Sequence, residues 1–370
     1  MRFDVIDGIR GHLLIGMLVA HLSFQPGMGW LVTFHHHALF KVFDAEFFVI
    51  VAGFLVGYLA DRRIGATVPA DGGRIPFARY LGRRVATVFA YHFVSSMALI
   101  MVFGGVEISW RGALGTALDI VAFRDSATYS GVLILYILCF SLLLGGVLAL
   151  GLRPLVLAGF SAAVYLISQY SYISGFWGIG GDIMAFDVAA WQFPFVASFA
   201  LGYHHRAVGR GIARLPEWGA AAIVIFLFAS ALWLATKWFT PPLAELPPGV
   251  PRHWPRPQLH PYHLLKMTVL AAGFTILLVG RHRFLNWPRL VVAGYFRLRI
   301  LRNIGRYSIR MFILHLTLVA VFVHLMGGMY DKEKTAMALG MIAFFIAVPT
   351  VVALAGRPTA RRQTDPEIRP

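Results

Sequence analysis

Residues 130–151 read SGVLILYILCFSLLLGGVLALG and contain no charged side chain. An α-helix rises about 1.5 Å per residue, so this run can cross the roughly 30 Å hydrocarbon core of a bilayer. The run therefore predicts a membrane-spanning helix.

Further apolar runs of similar length lie on both sides of it, separated by Gly, Pro and polar clusters. Together they predict about ten transmembrane helices, at residues 9–28, 40–60, 82–103, 130–151, 153–169, 188–205, 218–236, 262–280, 307–326 and 337–355. The predicted fold class is an all-α, polytopic integral membrane protein. Residues 1–356 are predicted to form one transmembrane domain, and residues 357–370 a short basic cytoplasmic tail.

The composition excludes a water-soluble fold. Hydrophobic residues make up 58% of the chain, charged residues 14%, and the mean hydropathy is +0.70. Soluble domains average roughly 45–50% apolar and about 25% charged residues. The single cysteine, Cys139, lies inside an apolar run, which excludes a disulfide framework and a cysteine-based metal site.

The net charge of +16 would suit a nucleic-acid-binding protein, but the placement of the basic residues indicates membrane topology instead. If the N-terminus is cytoplasmic, the predicted helices leave 22 Lys and Arg residues in inside segments and 7 in outside connections. Cytoplasmic loops are enriched in Lys and Arg. We therefore predict that both termini are cytoplasmic and that there is no nucleic-acid partner.

The first predicted helix carries two polar side chains on one face. Arg10 and His21 are eleven residues apart, which is three turns plus about 20° and about 16 Å along the axis. They cannot touch, but they can line one cavity, and Asp7 can hold the Arg10 guanidinium. The alternative is that Arg10 is a positive-inside anchor and His21 a core histidine.

Other polar residues fall in or near predicted spans. His92 and His315 lie at mid-membrane depth, where each is either a packing or a functional residue. Asp44 and Glu46 lie near the outer end of the second span, and their side chains diverge by about 200° on a helix, so we expect no carboxylate pair.

Three consecutive histidines, His35, His36 and His37, invite a metal-binding interpretation. Consecutive side chains on a helix diverge by about 100° and cannot all chelate one ion. No cysteine or acidic cluster stands beside them in the sequence. The sequence therefore predicts no metal site.

Several of these residues stand in stretches that resemble the acyltransferase-3 superfamily. DGIRGHLLIGMLVAH, Asp7 to His21, resembles its first helix, in which ten residues separate an arginine from a histidine. FFVIVAGFLVG, from Phe47, resembles its aromatic run, although Val-Ala-Gly replaces the usual Ser-Gly. The arginines around Arg83 resemble its arginine pair, and IGRYSIRMFILH, ending at His315, resembles its Gly-Arg-x-Ser segment.

Within that superfamily the chain is most similar to the OpgC family, membrane proteins that succinylate osmoregulated periplasmic glucans. The resemblance rests on the Gly-x-Leu-x-x-Gly-Met run of the first helix, FDVAAWQFPFVASFALG from Phe186, and LHPYHLLKM from Leu259. It covers most of the chain.

The resemblance implies a multi-pass acyltransferase of the bacterial inner membrane. Its donor would be a cytosolic acyl-coenzyme A, with succinyl-coenzyme A the first candidate, and its acceptor a glycan hydroxyl outside. No permanently bound cofactor is expected. Membrane lipids would surround the chain, and the glucan-synthesis machinery or a second copy of the chain are further candidate partners.

Histidine is suited to proton transfer near neutral pH, so His21 is expected to act as general base or as a transient acyl carrier. Arg10 would clamp a coenzyme A phosphate or the donor carbonyl. The predicted phosphate clamp would also include Arg79, Arg83 and Arg84. The alternative is that these three arginines only anchor the helix end on the cytoplasmic side of the membrane. The residues expected to support the site are Asp7, Asp44, Glu46, His315 and Gln192.

Two other classes of function remain open at this stage. A transporter would also place polar residues at the middle of the membrane. A non-catalytic scaffold for glucan synthesis would keep its function when His21 is removed.

Overall fold

The computed structural model describes residues 4–40, 42, 44–64, 74–104, 109–174, 186–237 and 259–355, so the predicted basic tail lies outside the described residues. Every secondary-structure element in these ranges is helical. The helices are α1 (Asp4–Ser23), α2 (His37–Phe40), α3 (Asp44–Ile64), α4 (Arg74–Phe103), α5 (Trp110–Val121), α6 (Gly131–Leu150), α7 (Pro154–Ser174), α8 (Val188–Tyr203), α9 (His205–Ala213), α10 (Glu217–Lys237), α11 (Pro261–Val279), α12 (Asn286–Phe296), α13 (Arg299–Arg306), α14 (Ser308–Leu325) and α15 (Asp331–Ala355). Two 3₁₀ turns span Gly29–Phe34 and Arg283–Leu285.

A helix lies over each of the ten predicted spans, namely α1, α3, α4, α6, α7, α8, α10, α11, α14 and α15. Among the described residues, seven of these are long and apolar enough to cross a membrane by length and composition. The other three are α7 and α8, whose apolar segments are shorter, and α3, which carries charged residues at both ends. The all-α membrane class is confirmed, whereas ten crossings and the orientation of the termini stay predictions.

The outward surface of the helices is apolar, as a lipid-facing surface must be. Large side chains such as Leu166, Tyr170, Ile225 and Phe226 are each more than half exposed. A water-soluble protein rarely exposes large contiguous apolar patches. Exposed apolar side chains of this kind are typical of helices in contact with lipid.

Helices α3 and α8 approach each other closely through glycine. A Cβ atom at Gly53 would collide with the carbonyl oxygen of Phe195, and one at Gly57 with that of Phe199. Glycines four residues apart form a flat stripe that lets two helices in a membrane pack backbone against backbone. The Val-Ala-Gly departure from the superfamily pattern thus keeps the glycine that this contact requires.

The start of α1 is packed in the same way against the segment that leads into α14. A Cβ atom at Gly8 would collide with the carbonyl oxygen of Phe296, and one at Gly305 with that of Asp7. Gly305 lies three residues before Ser308, the first residue of α14. This close approach sets the N-terminal end of α14 beside the N-terminal half of α1.

Candidate active site

Helices α1 and α14 lie side by side and are joined by polar contacts at two levels. Near their N-terminal ends, the Arg10 guanidinium donates a hydrogen bond to the Ser308 hydroxyl. Further along, His21 Nδ1 lies 2.7 Å from His315 Nε2. The two helices therefore run in the same direction, as the first and ninth crossings of the predicted topology would.

The hydrogen bonds of the histidine pair define which nitrogen atoms carry protons. His315 is fully buried, and its Nδ1 lies 2.9 Å from the Phe312 carbonyl oxygen, which can only accept. His315 Nδ1 is therefore protonated, and in the neutral ring Nε2 is an acceptor. His21 Nδ1 must then donate to it, which leaves Nε2 as the unprotonated nitrogen of a neutral His21.

Two residues without a sequence signal complete the surroundings of His21. The Tyr129 ring stacks on the His21 ring with centroids 4.1 Å apart and planes 16° apart. Tyr129 has a φ of +66°, an uncommon conformation for a non-glycine residue that is often found at functional sites. The Gln25 amide donates to the Tyr129 hydroxyl over 3.3 Å and to the His21 carbonyl oxygen over 3.2 Å. Periodicity could not reveal them, because Gln25 lies just after the end of α1 and Tyr129 just before the start of α6.

At the other end of the shared face, Arg10 is held by residues on either side of it. Arg10 Nη1 lies 3.8 Å from Asp7 Oδ1, so the predicted Asp7 contact is present. The hydroxyl partner, Ser308, is the serine of the Gly-Arg-x-Ser segment noted in the sequence. The Arg10 side chain as a whole is 28% exposed.

The three arginines of α4 do not act as one group. Arg84 donates to the Tyr80 hydroxyl over 3.3 Å and lies over the Tyr80 ring, and it is close enough for its charge to oppose that of Arg10. All three arginines are exposed, but Arg79 and Arg83, being four residues apart, share another face of the helix. The structure thus associates Arg84 with Arg10, but not Arg79 or Arg83.

The two carboxylates at the start of α3 are both buried and have different neighbours. Asp44 Oδ2 lies 2.7 Å from His35 Nε2, whereas Glu46 Oε1 lies 4.0 Å from His263 Nδ1 of α11. Their divergence along the helix agrees with the expectation that they form no carboxylate pair. Asp44 is near enough to His315 for its negative charge to act on that ring.

The argument against a metal ion at the histidine run does not hold in the structure. His35 has extended backbone angles, and only His37 belongs to a helix, so the side chains of His35 and His36 do not diverge as helical neighbours would. Both rings approach Asp44, with one potential ligand atom from each residue within 4.8 Å of the others. The acidic partner lies eight residues further along the chain from His36, and only tertiary folding brings it near. Burial lowers the pKa of His36 to about 4, which keeps its imidazole neutral.

Gln192 and His92 lie outside this constellation. The Gln192 amide oxygen accepts from the Ser161 hydroxyl over 2.5 Å, and its NH₂ donates to the Ser161 carbonyl oxygen, which ties α8 to α7. His92 contacts Ser96 and the ring of Phe123. Gln192 therefore stabilises the packing of α8 on α7. Within the described residues, the contacts of His92 are with α4 itself and with the Phe123 ring, not with His21 or Arg10.

The chain matches a known protein family over nearly its whole length. The family model described as OpgC protein matches residues 2–360, nearly the whole chain. Neither the search of curated proteins nor the search of solved structures found a match. The match confirms the family resemblance seen in the sequence motifs.

Proposed function

The chain belongs to the OpgC family, and on that premise we propose that it is a membrane-bound O-acyltransferase that modifies a periplasmic glucan. The donor is a cytosolic acyl-coenzyme A, with succinyl-coenzyme A the first candidate, and the acceptor is a glucan hydroxyl. The observation that carries the proposal is the hydrogen-bonded pair of His21 and His315 on the helix face that also bears Arg10.

His21 Nε2 is the atom that takes the proton from the acceptor hydroxyl. The hydroxyl oxygen attacks the thioester carbonyl and forms a C–O bond while the hydroxyl proton passes to Nε2. The tetrahedral intermediate then collapses, the C–S bond breaks, and His21 gives the proton to the coenzyme A sulfur. The products are an ester and a thiol. Such a base contributes about 10²–10⁴ to the rate.

His315 acts on this step through His21 rather than by touching the substrate. Its Nε2 accepts a hydrogen bond from the Nδ1–H of His21 and so keeps Nε2 of His21 unprotonated. When His21 becomes an imidazolium, the same hydrogen bond becomes charge-assisted and stronger. His315 is therefore a positioning residue that also stabilises the charged intermediate.

Arg10 and Arg84 suit the phosphate end of the donor. Guanidinium groups bind phosphate through two parallel hydrogen bonds. Eleven residues separate Arg10 from His21, or about 16 Å along the helix axis. Coenzyme A likewise separates its phosphates from its thioester by the long pantetheine chain, so one donor molecule can engage both ends of the shared face.

A covalent route begins at the same nitrogen atom. If Nε2 of His21 attacks the thioester itself, a C–N bond forms, the C–S bond breaks, and the thiolate leaves an acyl-histidine behind. The acceptor hydroxyl then takes the acyl group, the C–N bond breaks to restore Nε2, and the hydroxyl proton passes to the thiolate. Rapid denaturation near neutral pH of the protein incubated with succinyl-coenzyme A and no glucan, followed at once by mass spectrometry, distinguishes the routes. The covalent route predicts a succinyl adduct on the peptide that contains His21, and direct transfer predicts none.

The proposal is tested with purified protein in liposomes, supplied with succinyl-coenzyme A and periplasmic glucan. We expect thiol release that depends on glucan and a succinylated glucan by mass spectrometry, both lost in His21→Ala. A transporter would move solute without releasing thiol, and a scaffold would keep its activity in His21→Ala. Either result would overturn the proposal.

A further inference from the structure

The connection between α1 and α3 folds back among the helices. Val42 is fully buried and packs with Ala231 of α10 and Leu270 of α11. The ring of His36 lies 5.6 Å from that of His12, in the N-terminal half of α1. This fold-back places the histidine run beside Asp44 inside the protein.

The resulting cluster consists of His35, His36 and Asp44, and we call it the histidine–aspartate cluster. His35 Nε2 lies 2.7 Å from Asp44 Oδ2, and His36 Nε2 lies 3.9 Å from Asp44 Oδ1. His35 is 5% exposed and Asp44 2% exposed. The absence of a side chain at Gly16 of α1 makes room for it, since a Cβ atom there would lie 2.8 Å from His35 Nε2 and would collide with Asp44 Oδ1.

Two atoms of the cluster are buried without a hydrogen-bond partner among the described residues, namely His36 Nε2 and Asp44 Oδ1. A buried polar atom without a partner costs about 1–3 kcal/mol, and more when it carries charge. The two atoms are separated by only 3.9 Å. A ligand that contacts both would remove this cost.

We propose that the histidine–aspartate cluster binds a divalent transition-metal ion of the zinc type. Two imidazole nitrogens and one carboxylate oxygen are a ligand set that such ions use, with a fourth position left for water. Calcium and magnesium instead require mainly oxygen ligands, which this cluster does not offer. The site is separate from the His21–His315 pair in its ligand residues.

Formation of the site requires the three side chains to move closer together. With bonds of about 2.0–2.1 Å in a tetrahedral arrangement, ligand atoms lie about 3.3 Å apart. One ligand atom from each of the three residues lies within 4.8 Å of the others, so the two rings and the carboxylate must approach by up to about 1.5 Å to reach this spacing.

The ring proton of His35 is the competitor of the metal ion. His35 Nδ1 accepts the backbone N–H of His37 over 3.0 Å, so in the neutral ring Nε2 holds the proton and donates it to Asp44. Metal binding moves this proton to Nδ1 and breaks the bond to His37, because two N–H groups would then face each other. Metal binding also replaces the His35–Asp44 hydrogen bond, and each N–H group left without an acceptor costs about 1–3 kcal/mol. Their sum is smaller than the roughly 10–16 kcal/mol of a structural zinc site.

The bound ion would hold the fold-back segment to the start of α3 and against α1. Its role is thus structural, and the test requires no activity. The protein is purified in detergent, its affinity tag is removed because polyhistidine binds metal, and it is stripped with a chelator. It is then incubated with Zn²⁺ alone and desalted. Sites of this kind bind Zn²⁺ more tightly than Mn²⁺ or Fe²⁺. Failure to retain Zn²⁺ would therefore be stronger evidence against the site than failure to retain either of those ions.

We expect about one Zn²⁺ per chain by elemental mass spectrometry, and a higher unfolding temperature in its presence. His36→Ala and Asp44→Asn should each bind less than about a tenth as much and show no shift in unfolding temperature. The matched control is His324→Gln, which removes an exposed histidine near Phe103 and should bind as the unaltered protein does.

X-ray absorption of the unaltered protein keeps the test decisive if the variants fail to fold. The expected zinc spectrum has two imidazole ligands, oxygen and no sulfur. Failure of the unaltered protein to retain Zn²⁺, equal retention by folded His36→Ala, or a spectrum without paired imidazoles would overturn the proposal. In that case the cluster is held by the His35–Asp44 hydrogen bond alone.

Discussion

Replacing His315 by phenylalanine tests whether this residue positions His21. The His315→Phe change keeps a buried ring but removes Nε2, the atom 2.7 Å from His21 Nδ1. His21 then loses the acceptor that keeps its proton on Nδ1. It also loses the partner that stabilises the imidazolium. We expect acyl transfer to become slower while donor binding stays nearly unchanged.

The size of the effect follows from the lost hydrogen bond. A hydrogen bond to a charged group contributes about 1.5–3 kcal/mol, and each 1.36 kcal/mol corresponds to a factor of about ten in rate. His315→Phe should therefore lower kcat by about 10- to 150-fold. His315→Gln should lose less, because its amide oxygen can accept the same proton.

The assay measures initial rates of transfer from succinyl-coenzyme A to glucan in liposomes, at equal amounts of inserted protein. kcat and the donor KM are determined separately, and thermal unfolding shows whether each variant is folded. The positioning role requires kcat to fall in the order unaltered protein, His315→Gln, His315→Phe, with a constant donor KM. A folded His315→Phe variant that keeps kcat within about threefold, well short of the loss of one charged hydrogen bond, would refute the reasoning.

Three further predictions follow from the same structure. His21→Ala should lower the rate of acyl transfer by about 10²–10⁴. His12→Ala should have only a small effect on that rate, because His12 makes a hydrogen bond to a tyrosine of α12 on another face of the helix. Equal rates in the two variants at matched membrane levels would contradict this. Arg84→Lys should raise the donor KM because the bidentate fork is lost, whereas Arg83→Lys should not; equal donor KM values would return both residues to topological anchoring. A reporter enzyme that works only in the periplasm should be inactive when it is fused after Pro370, because the C-terminus is predicted to be cytoplasmic. Activity of this fusion would disprove the predicted orientation.

The helical membrane fold could be predicted because it follows from local properties of the chain. Each run without charge must satisfy its own backbone hydrogen bonds in lipid, and a helix does this within the run itself. For this reason helices lie over all ten predicted segments. The crossing count is harder to derive, since α3 combines an apolar centre with charged ends and α8 is short.

The histidine run shows how a local argument can fail. The sequence argument assumed that His35 and His36 lie on a helix, but the chain is extended at His35. Regular 100° spacing therefore does not apply to these side chains. Their proximity to Asp44 depends on the fold-back of the connection into the bundle, which hydropathy does not encode.

By itself, the sequence determined the membrane class, the family, and the face of α1 that Arg10 shares with His21. Helical periodicity specifies which residues of one helix point the same way, and that information is local. Only the tertiary structure decided what faces them: His315, 294 residues from His21, and Ser308, 298 residues from Arg10. These contacts depend on how closely α1 and the segment before α14 pack through Gly8 and Gly305. Packing between distant helices depends on the complementary shapes of both surfaces, which helical periodicity does not reveal. The tautomer of His21 follows from its contact with His315, so it could be assigned only from the tertiary structure.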